Sequence, residues 1–596
     1  MSAEVGTGAV AEFGRLTGVG VGPGDPDLLT IRAARLITAA DVVAYHCARH
    51  GRSIARSAAE PYLRDGQVEE VLRYPVTTEG TDHPGGYNGV LADFYVEAAA
   101  RLERYLLDGR DVVVLCEGDP SLYGSYLHLH KRLSGRFAAS IVPGISSVSA
   151  AAAATSVPLV QHDETLVVLP GTLPADELRA RLAGADAAAV LKLGRTFGKV
   201  RAALDDAGLL GRARYVERAG TDSERVVPLA DVDPADVPYM SLALVPGHGR
   251  RRPADAGVTA ASTTGLTSGA TAPAVGTTAT AGGTTATAGG TTATAGGTTA
   301  TAGGTAQGGT ADMAMGGATE AAAARAPGVT VVGLGPGDPA WLTPEAAAAL
   351  AVATDLVGYR PYLARIPARP GQQRHASGNT VEAERAAFAL GLAAAGGRVA
   401  VVSSGDPGVF AMATAVLEQA ADERWDGVPV TVLPGVTAAQ AVAARAGAPL
   451  GHDYCVISLS DRLKPWEVIA DRVEHAAAAD FVLALYNPAS RSRTWQLAAV
   501  SELLLRHRAA DTPVVVGRAV GRADEQLSVI TLAELADAGI DMSTLVIVGS
   551  SATRVHLRAG RPVVFTPRHY GEAGEAASSR PRRRTRTEAR PAAAAD

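Results

Sequence analysis

Lysine is nearly missing. Only Lys131, Lys192, Lys199 and Lys464 occur among 596 residues, so the basic charge is almost all arginine. With a formal charge of −6 and a pI near 6.1, the chain as a whole has no pull toward nucleic acid or an anionic membrane. Cysteine is as scarce. Cys47, Cys116 and Cys455 stand too far apart for a zinc cluster and are too few for a disulfide framework, which fits a reducing compartment. No uncharged apolar run reaches the length of a membrane span, and the first residues lack the basic-then-apolar pattern of a secretory leader. These absences lead us to expect a soluble cytoplasmic protein.

What is present is material for more than one core: 596 residues, 47% of them apolar. Residues 250–327 break the pattern. "TTATAGG" recurs from Thr277, Thr284, Thr291 and Thr298, and no charged or aromatic residue lies between Ala256 and Ala311. Such a segment cannot bury enough apolar surface to offset its ordering entropy. We expect a disordered linker whose ~75 residues span roughly 45–50 Å.

The flanks of that segment match each other. "TGVGVGPGDPDLLT" (from Thr17) pairs with "TVVGLGPGDPAWLT" (from Thr330), and "EGDPSLYG" (from Glu117) with "SGDPGVFA" (from Ser404). "VPGISSVSAAAAATSVPL" (from Val142) pairs without a gap with "LPGVTAAQAVAARAGAPL" (from Leu433), and "HDETLVVL" (from His162) with "HDYCVISL" (from His452). Later, "YVERAGTDSE" (from Tyr215) answers "VVGRAVGRADE" (from Val515). Kept order and spacing imply two homologous domains, residues 1–249 and 328–570, followed by a disordered basic tail over 571–596. Within each, "RLTGVGV", "DVVVLCEG", "ETLVVLPG", "VTVVGLG", "RVAVVSSG" and "DFVLALYN" read as strands alternating with alanine-rich helices, an α/β class. Thr343, Pro344 and Glu345 read as a helix start.

The glycine loops fit neither common nucleotide motif. The first copy fails G-x-G-x-x-G/A at Pro23, Asp25 or Asp27, according to the frame, and only the second passes, through Gly335, Gly337 and Ala340. Pro23 and Pro336 stiffen each loop, and Asp25 and Asp338 disfavour a phosphate there. Such loops can be mere tight turns with Asp bonding local backbone. Three of them at strand ends, each present twice, point instead to a ligand site where strand ends gather loops.

Taken together, "GVGPGDPDLLT", "GDP" and "PGISS" or "PGVTA" resemble the tetrapyrrole (precorrin) methyltransferases, the S-adenosylmethionine-dependent family of cobalamin biosynthesis. "EGDPSLYGSYLHLH" and "YVERAGTDSERVV" are similar to precorrin-2 C(20)-methyltransferases; "GYRPYL", "SSGDPGVFAMA" and "ALYNPASRSR" to precorrin-3B C(17)-methyltransferases. The resemblance implies a bifunctional fusion, each domain having two α/β lobes with S-adenosyl-L-methionine in the cleft between them. It assigns cofactor contacts to Pro23, Glu117, Gly118, Asp119, Leu122, Ser146, Ser147, Leu193 and Ala219. In the second copy it assigns them to Pro336, Ser404, Gly405, Asp406, Val409, Thr437, Ala438, Asn487 and Ala519. Tyr123-Gly124 becomes Phe410-Ala411, so the lips of the two sites differ. The implied substrates are precorrins, metal-free or their cobalt-containing equivalents, with no nucleic acid or membrane partner. The family's dimers imply a homo-oligomer or an intramolecular pairing of the two domains.

Methyl transfer from a sulfonium needs positioning and desolvation more than acid–base groups. Accordingly no catalytic residue and no metal site is assigned. Asp119 or Asp406 could bond the cofactor's polar tail. Arg49, Arg52 and Arg56, and Arg360, Arg491 and Arg493, are candidates for carboxylates of the substrate, with a solvated face as the alternative. His128 and His130 point to different helix faces, so we expect no metal between them. His452-Asp453, matched by His162-Asp163, reads as structural. A nucleotide-dependent oxidoreductase, a same-fold methyltransferase for another acceptor and a binding protein with one dead copy are the rival readings.

Overall fold

Valine-rich runs bounded by glycine form the strands and alanine-rich runs the helices, in the order the repeat implies. The computed structural model describes residues 13–48, 51–76, 81–161, 164–247, 326–378, 381–462, 464–490, 493–558 and 560–567. The Thr/Ala/Gly repeats and the basic tail lie outside these residues, as do His162, Asp163, Arg49 and Arg491.

In the first half, β1 (Leu16–Gly20), β2 (Val42–Cys47), β3 (Val68–Arg73), β4 (Val112–Cys116) and β5 (Ala139–Val142) form a parallel sheet in the order β3-β2-β4-β1-β5. A second lobe follows: β6 (Leu166–Pro170), β7 (Ala187–Leu191), β8 (Arg214–Glu217), β9 (Arg225–Pro228) and β10 (Ser241–Val245). The second half repeats the parallel sheet with β11 (Gly328–Gly333), β12 (Asp355–Tyr359), β13 (Gln373–Ser377), β14 (Arg398–Ser403) and β15 (Val430–Leu433), in the matching order β13-β12-β14-β11-β15. After the short β16 (Gly447–Ala448), its second lobe holds β17 (Tyr454–Ser458), β18 (Val482–Tyr486), β19 (Pro513–Arg518), β20 (Gln526–Thr531) and β21 (Thr544–Val548). A closing hairpin, β22 (Arg554–Arg558) and β23 (Arg561–Phe565), pairs with β16.

Each expected strand is found, and so is the helix start. Thr343 Oγ1 accepts from Ala346 N at 3.1 Å to cap the helix Pro344–Val352, and Thr30 does the same for Ala33 at the start of Ile31–Ala39.

The two second lobes share one sheet, in the order β20-β19-β21-β18-β17-β6-β7-β10-β8-β9. The join is the antiparallel pair β6–β17, with Leu166 opposite Val456. These two residues occupy the same position in the "HDETLVVL" and "HDYCVISL" copies, so the halves are related by a pseudo-two-fold axis at that pair. One buried core crosses the join: Val167, Leu169 and Val190 cluster with Cys455, Ile457 and Leu483, none more than 5% exposed. Burying each such aliphatic side chain contributes roughly 1.5–3 kcal/mol. Arg472 meets Asp186 at 2.9 Å, Arg181 pairs with Asp453, and Ile31 N donates to Leu342 O at 2.8 Å, all between halves.

Candidate functional site

The carboxyl ends of β1, β4 and β5 deliver three loops to one point. Gly118 N donates to Gly22 O at 2.7 Å, joining the first loop to the second. The third fits only because its glycine is bare: a Cβ on Gly144 would sit 2.2 Å from Gly118 O, and one on Gly20 2.5 Å from Gly144 N. The second half repeats this. Gly335 and Gly405 exchange two backbone bonds, of 3.2 and 2.9 Å, and a Cβ on Gly435 would fall 2.3 Å from Gly405 O. Asp25 and Asp338 are local caps, accepting from Asp27 N at 2.8 Å and Ala340 N at 2.7 Å.

Asp119 and Asp406 are spent inside this construction. Asp119 accepts from Ser121 N at 2.8 Å, from Ser121 Oγ, and from Gly144 N at 3.2 Å. Asp406 accepts from Gly408 N at 2.8 Å and Gly435 N at 3.3 Å. Each carboxylate therefore ties the second loop to the third. Both are buried, and burial raises each carboxyl to about 6 despite those bonds. The two side chains face the loops' own amides.

The opposite wall comes from the second lobe. A Cβ on Gly24 would meet Thr221 Cγ2 at 2.6 Å, one on Gly220 would meet Pro23 at 3.1 Å, and Asp338 N donates to Gly521 O at 2.7 Å. Lys192 Nζ lies 4.8 Å from the centre of the Tyr123 ring, and the Phe410 and Tyr486 rings are 5.6 Å apart. Each half thus has a cleft between lobes, with Pro23, Gly118, Ser146 and Ala219, or Pro336, Gly405, Thr437 and the Ala519 loop, around it.

Backbone strain marks the same rims. Tyr123 (φ 54°), Lys192 (φ 61°) and Arg218 (φ 48°) adopt left-handed conformations, matched by Phe410 (φ 50°), Asn487 (φ 51°) and Ala519 (φ 49°). The matching corrects two correspondences. Lys192 and Asn487 both follow the last residue of their strands, β7 and β18, so Asn487 answers Lys192 and not Leu193. Arg218 N donates to Met240 O and Ala519 N to Ser543 O, each at 2.9 Å, so Ala519 answers Arg218, and Ala219 answers Val520. The Arg-Ala pair common to "ERAGT" and "GRAVGR" suggests a register one residue away from the one the backbone adopts, in which Gly220 and Glu224 answer Gly521 and Glu525.

Ser146 Oγ accepts from Ser149 N at 3.2 Å, capping the helix Ser147–Ala154. Thr437 Oγ1 and Ala439 N both bond the Tyr486 hydroxyl, at 2.6 and 3.0 Å, where the helix Ala438–Ala446 begins. Leu122 and Val409 pack against the apolar cluster below the lips, and Leu193 is buried. Glu117 is exposed, and desolvation by the surrounding protein raises its carboxyl. Its counterpart Ser404 accepts from Arg365 Nη1 at 3.1 Å, and Arg365 Nη2 reaches Leu334 O and Gly335 O at 3.1 and 2.9 Å. Sequence reasoning misses Arg365, although it lies just beyond "GYRPYL". Burial and the neighbouring Arg522 bring it down to about 10.

Several arginine candidates are committed elsewhere. Arg56 pairs with Glu60 at 2.9 Å and Glu69 at 3.1 Å, and Arg493 is buried against Met542. Arg52 and Arg360 are exposed. His128 stacks on Tyr95 at 4.2 Å, while His130 Nδ1 lies 3.1 Å from the Tyr126 hydroxyl and burial lowers it to about 4. The two imidazoles have separate packing roles. His452 and Arg181 both pair with Asp453, a structural knot between halves.

The profile of the Tetrapyrrole (Corrin/Porphyrin) Methylases matches residues 15–233 and again 328–536. The Cobalamin biosynthesis protein CobIJ of Mycobacterium tuberculosis is 54% identical over 571 residues, covering 95% of this chain and 98% of that protein. A Precorrin-3B C(17)-methyltransferase of Sinorhizobium sp is 54% identical over 41% of this chain and 98% of its own length. A Precorrin-2 C(20)-methyltransferase of Sinorhizobium sp is 46% identical over 39% of this chain and 96% of its own. With its loop constellation present twice and both copies matched, the chain belongs to the tetrapyrrole methylase family and is a methyltransferase built from two of that family's domains.

Proposed function

We propose that the chain is a bifunctional enzyme of cobalamin biosynthesis. The first half methylates precorrin-2 at C-20; the second methylates precorrin-3B at C-17 with contraction of the ring. One S-adenosyl-L-methionine binds in each cleft, against the loops around Gly118 and Gly405. The observation that carries this reading is the duplicated loop constellation, intact in both halves and lipped differently: Tyr123 and Lys192 in one, Phe410 and Asn487 in the other. The resemblance of each half to a different single-function methyltransferase supports the same division.

The chemistry asks for placement. S-adenosylmethionine held in each cleft would supply a methyl group to an electron-rich ring carbon, the new carbon–carbon bond replacing the carbon–sulfur bond while the positive charge passes from sulfur to the ring. The chain's contribution is a rigid cradle. Close glycine contacts and the buried Asp119 and Asp406 leave the loops little freedom, so the reacting atoms are oriented before reaction. The lobes exclude water around the sulfonium. Residues 250–327 serve as a tether between domains 1–249 and 328–570, and the two domains stand to each other as the subunits of a dimer. The three described cysteines are unpaired and buried, in keeping with a cytoplasmic enzyme. Among the described residues no helix is long and apolar enough to cross a membrane.

Mass spectrometry of precorrin-2, with and without cobalt, after incubation with the chain and S-adenosylmethionine tests the proposal. One methyl gained, and lost on replacing Gly118, is the expected result for the first half. Gain only on the cobalt-containing ring would move both activities to the cobalt-containing substrates, and no gain on either would refute the corrin assignment.

A further inference from the structure

The second cleft is not held by its own half alone. Val160, in the first half, forms a β-bridge with Val409 and donates its N–H to Gly408 O at 3.4 Å. Its side chain is fully buried in the apolar cluster that also contains Val409. Ser149, again from the first half, lies across a small void from the Asp406 carboxyl and favours its charged form. Ser149, Pro158, Asp406, Gly408 and Pro434 line a small void between the halves directly behind this loop.

The sequence makes the brace one-sided. Between the matching leucines and the His-Asp pairs, the first half carries Val160-Gln161 and the second only Gly451. The second half is thus a residue short of the segment that would return the bridge. Among the described residues, Val160–Val409 is the isolated bridge that joins the halves.

We propose that the first half is a working part of the second half's cofactor site. Val160 is a positioning residue for the loop Asp406–Phe410, and among the described residues no matching backbone bridge returns to the first half's loop. This rests on the reading of that loop as a cofactor contact.

The test is calorimetric titration of the full-length chain with S-adenosylhomocysteine. Gly144→Val closes the first cleft and Gly435→Val the second, because an added side chain strikes Gly118 O or Gly405 O, so each cleft is titrated alone. Adding Val160→Ala should weaken binding at the second cleft at least fivefold and at the first less than twofold. Val200→Ala, a truncation of equal size in the second-lobe core, should leave both affinities within twofold. Equal weakening at both clefts, or none at the second, overturns the proposal. A parent chain that binds no S-adenosylhomocysteine overturns the cofactor reading and the inference with it. Hydrogen exchange on the unmutated chain provides a check that needs no variant. Saturating S-adenosylhomocysteine should slow the Val160 amide severalfold, and an unchanged rate there also overturns the proposal.

Discussion

The Arg472 guanidinium lies 2.9 Å from the Asp186 carboxylate, and the two residues come from different halves of the chain. Asp186 also accepts from Thr165 N and Oγ1, at 3.0 and 3.1 Å, so the charge is anchored at the foot of the strands that meet at the pseudo-two-fold axis. Both side chains are nearly closed to solvent. Removing one partner of a buried pair strands the other, at a cost of about 3–5 kcal/mol. Arg472→Met should therefore lower the stability of the whole chain by an amount of that order. Calorimetry checks this, and a shift confined to a second-half transition would contradict the shared core.

That core also predicts what happens when the halves are no longer covalently joined. A protease site placed between Thr277 and Thr301 should, once cut, leave both halves in one complex on gel filtration. The β6–β17 pairing and the apolar cluster across it do not depend on the connecting segment. Separation of the cut halves at micromolar concentration would count against an intimate pairing.

Glycine substitutions should silence the clefts one at a time. A side chain at Gly144 collides with Gly118 O, and one at Gly435 with Gly405 O, within 2.2 and 2.3 Å. Backbone cannot yield that much cheaply, so Gly144→Ala and Gly435→Ala should each lower the S-adenosylhomocysteine bound from two per chain to one. Two bound in either variant would mean that these loops are not the cofactor contacts.

The duplication, the alternation of strands and helices within each half and the three glycine loops at strand ends were legible because they rest on local signals. Glycine at strand ends, Thr-Pro-Glu at a helix start and a gapless match of two segments need no tertiary information. The joining of the halves was not legible. "HDETLVVL" and "HDYCVISL" read as strands in either arrangement, and nothing local says that Leu166 will face Val456 and not a second copy of itself. The partners of Asp119 and Asp406 were hidden for a similar reason. Gly144 and Gly435 lie 25 and 29 residues further along, brought near only by the order of the sheet. Register slipped at Ala519 because the repeated Arg-Ala pair invites a match of Arg218 with Arg518, one residue off the pairing that the left-handed backbone at Arg218 and Ala519 shows.

Arg365 should matter to one cleft only. It spans the first and second loops of the second half, and Ser404 presents it a hydroxyl where the first half has Glu117. Arg365→Met keeps much of the packing and removes three bonds to the loops, each worth roughly 0.5–1.5 kcal/mol. Second-cleft affinity should fall about tenfold or more, with the first cleft unchanged. Loss at both clefts in separate titrations would show a global defect and remove Arg365 from this role.

The buried loop carboxyls give stability a definite pH dependence. Asp119 and Asp406 hold their protons up to about 6, against 3.8 for an ordinary aspartate. The folded chain therefore binds more protons than the unfolded chain between those values. The stability these groups confer is full below the ordinary value and is lost as the pH rises through 6. Each tenfold difference in proton affinity between folded and unfolded chain is worth about 1.36 kcal/mol, so the loss is on the order of 3 kcal/mol per site. Asp119→Asn with Asp406→Asn abolishes that titration and sets a donor-only amide nitrogen against one of the backbone N–H groups that each carboxyl oxygen accepts from. The double variant should be less stable than the parent at pH 4, with the gap narrowing toward pH 7. Urea midpoints of both chains across this range decide the matter: a gap that stays constant would show that neither carboxyl is protonated in the folded chain.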